Sequence, residues 1–204
     1  MMQYQLEISI DQKGLQQIYA DALLVTIVRK VTSDPPATAT VAWVAFAPFM
    51  ANQVAWGEDY YLYAARRAAG EVIITIAQSQ EPVRSGVLYQ YAQGIFTAGR
   101  PVLFGTYDVE NDDAEMAFGL MQVAVVNGTA LPGRLNRTDL VAAQHAVFVP
   151  SETLSIFLAP ATATASVIGG VPANALTVQF TSAQWRAEVT YDAEMGQFGM
   201  LGGS

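Results

Sequence analysis

One histidine, no cysteine and eighteen carboxylates define the chemistry open to this chain. Any imidazole-dependent step falls to His145. A hydrolytic triad needs a hydroxyl or thiol nucleophile, an imidazole base and an acid that orients it. His145 sits in the run Ala143-Gln144-His145-Ala146-Val147, and no Gly-x-Ser-x-Gly turn presents a serine to it. It reads as a partly exposed strand residue. Zinc and copper sites draw on several His or Cys ligands, which this composition cannot supply.

Calcium takes oxygen ligands, so the acidic run Asp108, Glu110, Asn111, Asp112, Asp113, Glu115 must be weighed. It begins like a calcium loop. Asp113, however, stands where an EF-hand requires Gly, and Gly119 where it requires Glu. The EF-hand is excluded, and the run reads as a solvated acidic turn. No metal site is expected. Asp108, Glu110 and Asp112 are the calcium candidates should a site form between strands.

Two carboxylates across a cleft could hydrolyse a glycoside. The pairs to consider are Glu58 with Asp59, and Glu188 with Asp192. Glu188 and Asp192 share a strand face with Arg186, the pattern of an ordinary polar face. Ile168-Gly169-Gly170-Val171 lacks the lysine and following helix of a phosphate loop. The expectation is a protein that is not an enzyme and uses no cofactor.

Aromatic residues carry the one enrichment with a spatial logic. Trp43, Phe46, Phe49, Trp56, Tyr60, Tyr61 and Tyr63 fall in one stretch, followed by Tyr89 and Tyr91. Exposed rings suit sugar faces, lipid headgroups or protein partners. Tyr60, Tyr61, Tyr63, Tyr89 and Tyr91 are therefore the candidate ligand-binding residues. Neighbouring strand residues point to opposite faces. At least one of Tyr60 and Tyr61 should lie outside, with Trp43 and Trp56 inside and the whole stretch forming a central hairpin.

The elements that must hold these residues are strands. Tyr4, Leu6, Ile8 and Ile10 alternate with polar residues, as do Leu176, Val178 and Phe180, and Trp185, Ala187, Val189 and Tyr191. Period-two alternation marks strands with one buried face, the pattern of antiparallel sheets packed on one side. More apolar strands are expected at Leu23–Val31, Val41–Ala47, Gln53–Tyr63, Glu71–Ala77 and Gly86–Tyr91. Others are expected at Val102–Val109, Ala117–Val126, Ala142–Val149 and Thr153–Leu158. Gly and Pro punctuate them, as at Pro35-Pro36, Asn127-Gly128 and Pro132-Gly133. Helical periodicity is confined to Asp11–Ala20 and one turn at Asp112–Gly119.

This spacing predicts an all-β fold, an antiparallel β-sandwich with a jelly-roll as one variant. Residues 1–198 read as a single domain, with Gly94–Arg100 and Leu131–Thr138 the candidate divisions. Residues 199–204 read as a flexible Gly-rich tail.

Charge bears on partners. Charged residues make up 14% of the chain, where about 25% is usual. The net charge of −8 disfavours phosphate backbones, so no nucleic-acid partner is expected. No apolar run reaches the roughly 20 residues of a membrane helix, and no signal peptide is read at the N-terminus. The expected setting is the cytoplasm, or release by a non-classical route. A surface short of charge suits burial against other subunits. The leading expectation is a non-enzymatic, self-assembling structural protein. The alternative is a sugar- or lipid-binding module, including a membrane-active pore-forming toxin.

Overall fold

The computed structural model describes residues 2–66, 75–160 and 162–201. In chain order the elements begin with β1 (Gln3–Ile10), α1 (Gln12–Ala20), β2 (Leu23–Asp34), β3 (Thr40–Val41), β4 (Val44–Phe46) and β5 (Ala51–Gly57). Next come β6 (Tyr61–Ala65), β7 (Thr75–Gln78), β8 (Val87–Ala92), β9 (Ile95–Pro101), β10 (Tyr107–Asn111) and β11 (Met116–Val126). The rest are β12 (Thr129–Arg134), β13 (Thr138–Leu140), β14 (Gln144–Pro160), β15 (Val167–Ile168), β16 (Leu176–Gln179), β17 (Arg186–Asp192) and β18 (Gln197–Met200).

The expected all-β, sandwich-like fold is what forms. One sheet runs β18-β17-β1-β5-β11-β6-β7, with β12 and β13 also on β11; the other runs β4-β2-β14-β10-β8-β9, with β16 on β14. The alternating residues of β1 and the odd-numbered residues of β2 meet between them, with Trp43 and Trp56 edge to face at 5.5 Å in the middle. Both tryptophans are inside, as their spacing predicts. Pairing is antiparallel except for β1 with β17 and β8 with β10, which are parallel.

Local chemistry explains the element ends. Asp11 caps α1, its carboxylate accepting the Gly14 N–H at 2.6 Å. Gly14 has no side chain, and a Cβ there would press on the Tyr191 ring at 2.8 Å, so the helix rests directly on β17. The two-residue turn Gln93-Gly94 has φ of 52° and 81°, both in the left-handed region, which joins β8 to β9 as a tight hairpin.

Several expected elements differ. Val41–Ala47 is not one strand: β3 pairs with β15, whereas β4 pairs with β2. Trp43–Tyr63 is no hairpin, because β4 and β5 lie in opposite sheets with Pro48 in the crossing between them. Gln53–Tyr63 breaks at Glu58-Asp59-Tyr60, and its halves β5 and β6 both pair with β11, in registers offset by two residues. The Asp112–Gly119 turn is not helical. Asn111 Oδ1 accepts the Asp113 N–H and its Nδ2 donates to Ala114 O, a side-chain turn that competes with helix.

Gly94–Arg100 supplies most of β9, whereas Val102–Val109 becomes a strand only from Tyr107. Ala142–Val149 and Thr153–Leu158 merge into β14, whose register against β2 shifts between Pro150 and Leu154. Trp185 precedes β17 and is exposed, outside the inward phase expected of it. Gly199 and Met200 of the expected tail pair with β17. Glu71–Ile74 of the strand expected at Glu71–Ala77 lie outside the described residues, as do 202–204.

Candidate functional site

A buried polar site between the sheets begins with a charge in an apolar phase. Val25, Ile27, Arg29 and Val31 face the same way along β2, so Arg29 enters the core and is only 2% exposed. Its counter-charge comes from the irregular segment of β14, where extra residues turn Glu152 inward. Arg29 Nη2 lies 2.6 Å from Glu152 Oε1 and donates to Ser151 O at 3.1 Å. It also donates to the Tyr60 hydroxyl at 3.2 Å, and Nη1 donates to Gln122 Oε1 on β11.

The facing sheet completes the site. Trp56 Nε1–H and Tyr60 O–H each donate to Glu152 at 2.8 Å. Gln122 Nε2 donates to Gly57 O at 2.5 Å, and Trp43 Nε1–H donates to Gln122 O at 3.2 Å. The guanidinium carbon sits 5.2 Å from the Trp43 ring centroid, 5.9 Å from Trp56 and 5.7 Å from Tyr60. A desolvated cation is thus matched by one carboxylate and the faces of three rings. Burial, foremost, pushes the Tyr60 phenol well above its ordinary range. Burial, then the hydrogen bond to Glu58, pushes Tyr4 up to about 12. The Glu152 carboxylate and the Arg29 guanidinium thus join groups from both sheets.

The five tyrosines named from sequence do not form one exposed platform. Tyr60, Tyr63 and Tyr91 are buried, while Tyr61 and Tyr89 are half-buried. Tyr63 belongs to a separate cluster with Val41, Ala65, Ala117 and Met121, against which Tyr61 packs. Its hydroxyl donates to Asn136 O at 2.5 Å, and burial holds its proton far above the usual range. Tyr91 packs on Phe96 at 4.9 Å and Phe118 at 5.1 Å. The Tyr89 hydroxyl accepts the Arg84 N–H at 2.9 Å.

His145 and Asp108, read separately in the sequence, meet: His145 Nε2 lies 3.0 Å from Asp108 Oδ2. The one hydroxyl bonded to the carboxylate among the described residues, Thr106 Oγ1, is 2.5 Å from Asp108 Oδ1 and 2.9 Å from Leu103 O. It sits on the acid and not on the imidazole, so the order of nucleophile, base and acid is not assembled. Glu110 is the cross-strand partner of His145. Asp112 is exposed beyond the end of β10. The described residues hold no group of three or more His, Cys, Asp or Glu placed to bind a metal.

At the far side of the second sheet, β9 ends the strand order and, among the described residues, pairs only with β8. Of its residues only Phe96 is even half-buried. Ile95 is 65% exposed, and in the loop that follows Leu103 is 74% and Phe104 87% exposed. Sequence reading missed Arg29 and Glu152, although a charge in the apolar phase of β2 was a visible signal. The β9 edge was missed because its Gln-Gly turn was not read as a hairpin. No family model, curated protein or solved structure matches this chain significantly.

Proposed function

We propose that this protein is a non-enzymatic subunit that assembles with copies of itself through the β9 edge. The carrying observation is an outer strand that, among the described residues, pairs on one side only and has every residue but Phe96 exposed. A free edge displays unpaired N–H and C=O groups, a template for another strand. Proteins that stay apart blunt such edges with charge, proline or cover. Here the strand carries one charge, Arg100, and its one proline is the last residue. Exposed Ile95, Leu103 and Phe104 extend the apolar surface at its two ends. Strand β11, which carries no charge, does not need a second chain: β5, β6, β12 and β13 flank it. Light scattering coupled to size exclusion tests the reading through the mass in solution.

A second reading rests on the loop after β9. Leu103 and Phe104 are exposed in a loop that follows Arg100 and bonds to Gly86, two residues after Arg84, and neither arginine makes an ion pair among the described residues. Apolar side chains flanked by cations suit the interface of an anionic lipid surface. Co-sedimentation with phosphatidylserine vesicles separates this reading from assembly: binding lost in Phe104→Asp supports it, and no binding removes it.

A further inference from the structure

Beyond β2 the chain doubles back but does not close against the strand it leaves. Thr38 N–H donates to Arg137 O at 2.8 Å, Ala39 bridges to Arg137, and β3 pairs with β15. Contact with β2 resumes only at Trp43, whose N–H donates to Ile27 O at 2.9 Å. The splayed segment leaves a cleft of about 420 Å³ beside residues 28–31.

Three features of the cleft are unmatched. Ile27 turns its main-chain groups to this edge, so period-two alternation turns those of Arg29 and Val31 the same way, where no strand among the described residues pairs. Arg29 Nε and Asn136 Nδ2 are the buried side-chain nitrogens without a hydrogen-bond partner among the described residues. Their residues are 2% and 3% exposed, and both line the cleft. Lys30 also lines it, is exposed, and makes no ion pair among the described residues. Buried donors seldom go unpaired, and the side-chain groups left over here are all donors or cationic.

We propose that this cleft binds an extended peptide with a free C-terminal carboxylate. Such a ligand adds a strand to the open edge of β2, its main-chain groups pairing with Arg29 and Val31 at the strand repeat. Its carbonyls supply acceptors to the edge N–H groups, and its carboxylate meets Lys30. Val28, Val31, Ala39 and Val171 make the slot apolar, with Thr153 and Thr177 as the hydroxyl rim. This site does not depend on assembly through β9.

The test uses the full chain and an acetylated pentapeptide of alternating valine and threonine, with its amidated twin as control. The reading expects saturable amide shifts and slowed hydrogen exchange at Arg29 and Val31 with the acid peptide. It expects binding about threefold weaker with the amidated twin. Lys30→Gln should bind both peptides alike at the weaker level. Val31→Pro removes an edge N–H that no strand uses, a position where proline is tolerated, and should abolish binding while the melting curve is kept. If that variant fails to fold, Lys30→Gln still decides the case. Equal binding of acid and amide peptides by the unaltered chain, shifts confined to other residues, or no saturable shift at millimolar peptide would each overturn the proposal.

Discussion

Trp56, on one sheet, donates its indole N–H to Glu152 of the other at 2.8 Å. The same carboxylate takes the Tyr60 hydroxyl and faces Arg29, so one side chain from an irregular strand segment ties both sheets around a buried cation. Breaking a buried pair by removing one partner costs about 3–5 kcal/mol, because the other charge is stranded. Glu152→Ala should lose that much in urea unfolding. Replacing both charges, Arg29→Met with Glu152→Leu, should recover most of it. A loss under about 1 kcal/mol for Glu152→Ala would show that the pair is already solvated.

The phenols give a pH test. An unfolded tyrosine ionises near about 10. Burial first, then nearby carboxylates, holds Tyr4 and Tyr107 protonated up to about 12, with Tyr60 and Tyr63 higher still. The unfolded chain therefore gives up these protons first. Their stabilising contribution is complete below pH 10 and is lost as pH climbs through 12. Absorbance at alkaline pH should show an early group of exposed phenols, then a late, cooperative rise with unfolding. A single transition near pH 10, with the fold intact, would contradict the buried placement.

Gly133 touches the core without a side chain. A Cβ there would run into the backbone carbonyl and indole of Trp43. Gly133→Ala should therefore destabilise by roughly 1–3 kcal/mol, the usual cost of overpacking, and should disturb the near-UV dichroism of the tryptophans. An unchanged melting temperature would mean that Trp43 has room to move.

The His145–Asp108 contact should matter little to the fold. The imidazole is 41% exposed, and the second oxygen of Asp108 stays on Thr106 when His145 is removed. His145→Ala should change stability by less than about 1 kcal/mol. Thermal melts of the two proteins side by side decide it.

The sequence is legible where one rule dominates. Alternation places Tyr4, Leu6, Ile8 and Ile10 inside, and helical periodicity over Asp11–Ala20 finds α1 to within one residue. It is silent where position depends on a partner strand. Glu152 looks like a surface residue because nothing in the string shows that β14 is irregular at Pro150–Leu154. Tyr60 and Tyr63 look like rim aromatics because the break at Glu58–Tyr60 is invisible as a change of register. Val41 and Trp43 read as one strand, although the chain there passes from a pair with β15 to a bond with β2.

The assembly proposal is tested most directly by the mass in solution of the unaltered chain and of an edge variant. The Gln93-Gly94 turn sets the hairpin so that Ala98 directs its N–H to the open edge of β9. Ala98→Pro removes that donor at an edge position where proline is tolerated. Light scattering coupled to size exclusion should give the unaltered chain a multiple of 21.9 kDa that grows with concentration, and Ala98→Pro the mass of one chain with its fold retained. A single-chain mass for the unaltered protein, held at high concentration and moderate salt, would contradict assembly through β9.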